Sequence, residues 1–406
     1  MHNFNENDKI KICSAIERGV RFGAEGVTCC GGSDILSPVI ITAEEMASGN
    51  VTYDLVVQRR IELFERLNGL REGPTGSCLK CSLLTERRYG DVNFEYLGNH
   101  DIRGVCSFNI QHYTMCNLRC SYCLFTIQNN FKPPKYNNII EFIELFRSRG
   151  KLLGGSWIDF NGGEPAILDN FDEILDYLVE NNVGSVVIYT NSLKYSQSIY
   201  NALKENKIHI FTSIDAGTPS TYKSMKRVDG FAKVISNMIR YRESQTKMMF
   251  VLKYIICDTN RTDDDLYGFI FAMLLIKPSH VYICPDFSYI KGDIPYESVE
   301  FGARMWVLLE KYGAGSTTVY IQSDDMIASQ KMKKFSEDIR IKYKELKEKI
   351  DYNVDSNSLL YAINNYENRF EDIIKNVNDL AWWIPIRKLR DKFRNKIFKI
   401  RAEQSK

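Results

Sequence analysis

The sequence predicts an α/β protein: a partial (β/α)6 parallel barrel, with a small cysteine-rich domain before it and a helical extension after it. Three observations carry this. From about residue 105 to 290, short β-branched runs alternate with amphipathic helical patterns, as in a parallel sheet with crossover helices. Nine of the eleven cysteines precede residue 124, so the metal or redox chemistry is weighted to the front. The last stretch, from about 330, is charged and helical in pattern. The expected domains are 1–104, 105–325 and 326–406.

In chain order, the front segment holds a hairpin turning at Gly26 and one clear helix around TYDLVVQRRIELFERLNGL. A domain with so little core needs a staple, and a metal site is one. The barrel strands are GVCSFNIQHY, SWIDFNGG, GSVVIYTN, IHIFTSID, MMFVLKYIIC and HVYICPDF. Helical patterns between them include NNIIEFIELFRSRG, NFDEILDYLVENN, SQSIYNALKENK and DDDLYGFIFAMLLI. The helix SVEFGARMWVLLEKYG and a strand-like TTVYIQS follow. KMKKFSEDIRIKYKELKEKI reads as a solvated surface helix or spacer.

Composition bounds the function. With 406 residues, 44% hydrophobic and 26% charged, the chain can bury a sizeable core. A net charge of +2 gives no field that would draw nucleic acid. No apolar run reaches the ~18 residues of a spanning helix. The polar start, MHNFNENDKI, is unlike a signal peptide, so a cytoplasmic location is expected. In a reducing compartment, clustered cysteines signal metal binding or catalysis more than disulfides.

The densest cluster is MCNLRCSYC, where Cys116, Cys120 and Cys123 have the spacing C-x3-C-x2-C. Thiolates are soft ligands for iron–sulfur clusters and for zinc. Three thiolates on a four-iron cluster leave one iron open, as a catalytic metal requires. The alternative is zinc completed by a distant His or Cys; His112 is too close in sequence to be an obvious fourth ligand.

This loop, with aromatic Tyr122 before the third cysteine, resembles the signature of the radical S-adenosylmethionine (radical SAM) enzymes. Gly162-Gly163-Glu164-Pro165, TNS at 190–192, and Ser213 with Asp215 in TSIDAG match the family in order, each at a strand end. The likeness covers roughly residues 105–290. It implies that Cys116, Cys120 and Cys123 hold a [4Fe–4S] cluster whose open iron is chelated by SAM. It further implies that Gly162, Gly163 and Glu164 receive the SAM amino group, that Ser213 and Asp215 bind the ribose, and that Asn191 contacts the carboxylate side. An electron from a flavodoxin- or ferredoxin-type reductant would then cleave SAM to methionine and a 5′-deoxyadenosyl radical. Taken singly, Glu164 could instead be a helix N-terminal acid and Asp215 a cap.

The front cysteines resemble the SPASM or Twitch auxiliary-cluster modules of that superfamily, although those usually follow the barrel. The resemblance implies an auxiliary [4Fe–4S] cluster on Cys13, Cys29, Cys78 and Cys81, with Cys30 as the alternative to Cys29. Adjacent cysteines point opposite ways on a strand, so one of the two is expected to bind. Structural zinc, or no metal, are the other readings.

Cys257 and Cys284 follow the fifth and sixth strand runs, at the end where barrels place reactive groups. Either could donate hydrogen to a substrate radical, or simply be buried as a small hydrophobe. Cys106 lies within a strand and reads as core. The closing segment, WWIPIRKLRDKFRNKIFKIRAEQSK, has one apolar helical face and an excess of basic residues. It can lie on an anionic membrane surface or dock on its own barrel. IPIRKLRDKFR also resembles tails of bacterial surface-polysaccharide glycosyltransferases, which hints at a glycan pathway.

The expected function is therefore a radical SAM enzyme acting on a small-molecule or glycan substrate, such as a sugar, by dehydrogenation or epimerisation. A peptide- or protein-modifying enzyme and a non-catalytic iron–sulfur carrier are the alternatives.

Overall fold

In the computed structural model, the described residues are 4–349, apart from 31–36, 82, 92–103, 287, 289–291, 313–316 and 322–329. The closing segment, expected to be a basic amphipathic helix able to lie on a membrane, lies outside the described residues. No helix among the described residues is long and apolar enough to cross a membrane.

The strands are β1 (Lys9–Ile12), β2 (Gly19–Gly23), β3 (Gly26–Thr28), β4 (Ile41–Thr42), β5 (Thr85–Arg88), β6 (Val105–Ile110), β7 (Leu152–Phe160), β8 (Ser185–Tyr189), β9 (Ile208–Ser213), β10 (Phe250–Ile256), β11 (His280–Pro285) and β12 (Thr318–Ile321). Among the described residues, ten of them form one sheet in the order β12-β11-β10-β9-β8-β7-β6-β2-β3-β4. From β12 to β6, and on to β2, neighbours run parallel; β3 and β4 return antiparallel. This is the expected α/β architecture, with every predicted barrel strand in place. It goes further at both edges. TTVYIQS becomes a seventh parallel strand, β12, beside β11.

The front segment shares the barrel's sheet. Its hairpin, turning at Gly26 with φ +128°, pairs β2 with the first barrel strand, Gly19 opposite Ser107 and Phe22 opposite Ile110. A side chain at Gly26 would strike the Ile41 carbonyl at 2.2 Å, which is why the turn needs glycine. Residues 1–356 form one compact unit.

Strand register sorts the side chains onto two faces. One face carries Phe22, Phe108, Ile158, Phe160, Ile188, Ile210 and Leu252, all buried in the main core. The opposite, interior face carries Arg21 beside Asn109 and Asn109 beside Asp159. On the far side of the barrel it carries Ser213 beside Lys253 and Lys253 beside Tyr282. Trp157 and Tyr282 also lie on it, among His209, Phe211 and Tyr320 rings.

Two packing features were not legible beforehand. Arg60, on the helix Tyr53–Leu67, is fully buried and donates to the carbonyls of Gly19, Ile16 and Glu17 at 2.7, 3.1 and 2.9 Å. It thereby satisfies the open C-terminal carbonyls of the short helix Ser14–Arg18. The charged helix Gln330–Lys349 is a largely exposed surface helix rather than a spacer, docked by one face. It buries Phe335 and Ile339 and stacks Tyr343 on Trp306 at 4.4 Å, against the helix Tyr296–Tyr312. Its apolar residues are few, but they fall on one face.

Candidate active site

The loop between β6 and the short helix Leu124–Ile127 carries Cys116, Cys120 and Cys123. It is tied down along its length. Thr114 and Met115 donate their amides to the Lys132 carbonyl at 3.0 and 3.2 Å, and the Lys132 amide returns to the Thr114 hydroxyl at 2.7 Å. The Glu164 amide donates to the Met115 carbonyl at 2.8 Å. Arg119 and Ser121 donate to the carbonyls of Lys226 and Met225 at 3.1 and 2.8 Å. Those are last-turn carbonyls of the helix Pro219–Lys226, which ends at Arg227 in the left-handed conformation, φ 62°. The loop thus fills acceptors that a helix end leaves open.

The glycines after β7 make this approach geometrically possible. A Cβ on Gly163 would lie 1.8 Å from the Met115 carbonyl oxygen, and Gly162 adopts φ +100°. Glu164, buried beside them, accepts from the Thr190 hydroxyl at 2.6 Å, the Asn191 amide at 2.7 Å and the Ala166 amide at 3.3 Å. It staples the end of β7 to the end of β8. Burial pushes its carboxyl up to about 7 against those three donors. Asn191 reaches back to the loop, donating to Asn117 at 2.7 Å and to the Cys116 sulfur at 3.6 Å. Cys116 also accepts the Leu118 amide at 3.4 Å.

Asp215 differs from the expected ribose acceptor. It is fully buried with φ 55°. One oxygen accepts the Ile255 amide at 2.7 Å; the other takes the Lys226 ammonium at 2.5 Å and the Tyr122 hydroxyl. Lys226 also donates to the Tyr122 oxygen at 2.5 Å. Lys226 is 2% exposed, so this is a buried ion pair. Burial opposes the ammonium, but Asp215 outweighs it and holds the Lys226 pKa up. In this arrangement Asp215 and Tyr122 are beams beneath the loop, and a ribose would have to share an oxygen already engaged. Ser213 is half-buried on the interior face.

Sequence reasoning missed Lys226. Lysine in a helix is ordinarily exposed, and nothing in MKRVDG marks this one as buried.

Cys257 and Cys284 come together. Both are buried, in one cluster with Met225 and Ile255, against Tyr122 and Tyr282. Asn260 fixes Cys257: its amide donates to the carbonyls of Asp215 and Ile255, and its oxygen accepts the Cys257 amide at 2.8 Å. Burial pushes Cys284 up to about 12 and Cys257 higher, so both are neutral thiols. Cys106 is buried in β6, as expected. His112 is fully buried between Tyr113 and Tyr136, and burial lowers it to about 4.

The loop suits a thiolate-bound cluster. Its three sulfurs act electrostatically on one another, and two N–H groups point at Cys116 as they would at a thiolate. Burial, with Glu164 and the two neighbouring cysteines beside it, pushes the Cys116 thiol up to about 12, so bound metal would have to supply the charge that deprotonates it. Among the described residues, no three His, Cys, Asp or Glu side chains are placed to hold one metal ion. A four-iron cluster requires a different spacing, since each thiolate takes its own iron.

Residues 110–270 match the family model of the Radical SAM superfamily. A 126-residue stretch is 27% identical to a GTP 3',8-cyclase of Clostridium botulinum (strain Okra / Type B1), covering 30% of this chain and 39% of that one. Over 215 residues the chain is 25% identical to a protein named GTPase Obg of Brachyspira hyodysenteriae, covering 50% of this chain and 30% of the other. The chain therefore spans well under half the length of these relatives. Among solved structures, Streptococcus suis SuiB bound to S-adenosylmethionine aligns with a TM-score of 0.43 and 11% identity, over 66% of this chain and 56% of that one.

Proposed function

This chain carries a radical SAM domain, and we propose that it cleaves SAM reductively at a [4Fe–4S] cluster held by Cys116, Cys120 and Cys123, then takes hydrogen from a substrate in the barrel interior. The observation that supports this most is the loop itself: three thiols on a segment tied to the ends of β7 and β8 and to one helix C-terminus. The cluster, when bound, supplies the electron that splits SAM, and a flavodoxin- or ferredoxin-type protein delivers it. The chain's own residues bind and orient. Backbone acceptors around Gly162 and Gly163 would receive the SAM ammonium, Asn191 holds the loop beside Cys116, and Ser213 would meet the ribose. Lys226 and Asp215 fix the floor on which Tyr122 rests.

The substrate class we propose is a sugar or other polyhydroxylated small molecule. The interior face supports this with hydrogen-bonding side chains, Asn109, Asp159 and Lys253, interleaved with Trp157 and Tyr282. Flat rings suit the apolar faces of sugars and polar side chains suit their hydroxyls. Cys284 or Cys257, kept as neutral thiols beside Tyr122, would give a hydrogen atom to the substrate radical, as an epimerisation requires. The thiyl radical left on sulfur would be returned to the thiol by one proton and one electron from the same flavodoxin- or ferredoxin-type reductant.

The test is anaerobic reconstitution with dithionite and SAM, reading 5′-deoxyadenosine and methionine. Turnover should be present in the native chain and absent in Cys120→Ala. A panel of nucleotide sugars should raise it, and solvent deuterium should enter the product with wild-type protein but not with the responsible cysteine variant. Cleavage unaffected by Cys120→Ala would overturn the radical reading. Stimulation by peptides alone would overturn the substrate class.

A further inference from the structure

The front cysteines come from three separate chain segments, yet they converge. Cys13 caps the helix Ser14–Arg18, Cys30 follows β3, and Cys78 and Cys81 flank the turn Cys78–Lys80. Ile12, next to Cys13, pairs with Thr85 in the β1–β5 ribbon, which sets Cys13 beside the chain leaving Cys81. Cys30 and Cys78 act electrostatically on Cys13, and Cys30, Cys29 and Cys81 all act on Cys78. A backbone amide points at one of these sulfurs: Leu83 donates to Cys81 at 3.4 Å. Such N–H···S contacts surround cluster-bound thiolates.

The hairpin register then separates Cys29 from Cys30. Phe22 lies opposite Val27, and Arg21 opposite Thr28. Side chains alternate along an extended strand, so Cys29 continues the face of Val27 and Phe22. It is 2% exposed there, and the buried Arg60 is the charge that acts on it most. Cys30 falls on the other face, with Thr28 and Arg21, is half-buried, and has its carbonyl held by the Thr28 hydroxyl at 2.9 Å.

We propose that Cys13, Cys30, Cys78 and Cys81 hold a second iron–sulfur cluster, and that Cys29 is a packing residue. Sequence position alone left Cys29 and Cys30 as alternatives; the choice of Cys29 as ligand is reversed because Cys29 faces the core. Four soft thiolates from three segments close a four-iron site with no open position. Its place is also defined. The chain beyond Thr28 returns toward Gly19, which pairs with Ser107 near the start of β6, whereas the Cys116 loop follows the end of β6. The two iron sites therefore bracket the barrel interior from opposite ends of the strands, with Arg21, Asn109 and Asp159 between them.

The test uses full-length protein with Cys116, Cys120 and Cys123 replaced by alanine, reconstituted anaerobically with iron and sulfide. About four irons per chain, the content of one four-iron cluster, should remain, with the low-temperature EPR signal of a reduced cluster. Adding Cys30→Ser should remove most of the iron, whereas adding Cys29→Ser should leave it. Cys81→Ser gives an independent ligand loss far from the hairpin, and far-UV circular dichroism separates ligand loss from unfolding. Iron near zero in the triple variant, or one zinc in its place, would overturn the site. Iron lost with Cys29→Ser but kept with Cys30→Ser would overturn the assignment. The converse variant, lacking Cys13, Cys30, Cys78 and Cys81, should keep the iron of the Cys116 loop; its loss would count against the radical site and not against this one.

Discussion

Replacing Lys226 with methionine removes the ammonium but keeps most of the alkyl volume, beneath the cysteine loop. The pair it breaks is buried on both sides, Lys226 at 2% and Asp215 at 0% exposure, with a 2.5 Å contact. Removing one partner of such a pair leaves an uncompensated buried charge, at a cost of about 3–5 kcal/mol. Asp215→Asn should cost a similar amount, because it strands the ammonium against an amide. The double variant removes both charges, so it should recover roughly 2 kcal/mol or more relative to the sum of the singles, within the range of coupling seen for contacting residues. The assay is urea unfolding of the cluster-free chain under reducing conditions, followed by circular dichroism. Additive singles, or a Lys226→Met cost below about 1 kcal/mol, typical of an exposed pair, would refute the buried-beam reading. Asp215 would then be available for a ligand, as the sequence pattern suggested.

Three further outcomes are expected. Gly163→Ala places a Cβ 1.8 Å from the Met115 carbonyl, so the loop must shift; stability should fall by about 1–3 kcal/mol, and iron retention after reconstitution should fall with it. Arg60→Met strips three buried carbonyls of their donor; it should cost about 1–3 kcal/mol, the penalty for a buried polar group left without its partner, measured by the same unfolding assay. Glu164 is raised by burial from 4.5 to about 7. The folded chain thus holds a proton the unfolded chain releases between those values, and stability should decline as pH rises from 4.5 to 7. Glu164→Gln should flatten that slope; an unchanged slope would place the titration elsewhere.

The barrel was legible because each strand and each crossover helix is a local pattern of period two or 3.6. The cysteine loop was legible because its three cysteines lie within eight residues of sequence. What escaped was set by contacts between distant segments. Lys226 is an ordinary helical lysine until the fold brings it onto Asp215 and Tyr122. Arg60 looks like any charged residue of an amphipathic helix until the Ser14–Arg18 turn closes on it. The choice between Cys29 and Cys30 depends on the pairing of β2 with β3 and on which face meets the helix Tyr53–Leu67, and adjacent cysteines look alike before that pairing is known. Glu164 and Asp215 were found by position, but their partners, the donors at Thr190, Asn191 and Ile255, come from other strands.

The edge pairing of β2 with β6 also sets an order of events during synthesis. Strands β6 to β11 each pair with the next one made, so the barrel can grow by short loop closures as the chain emerges. The hairpin β2–β3 forms early, but its seat on the sheet does not exist until residues 105–110 have left the ribosome. The β1–β5 ribbon likewise waits for residues 85–88. All five front cysteines thus emerge before the strand that seats their hairpin, and the nascent chain is most open to oxidation in that interval, before β6 arrives to hold it.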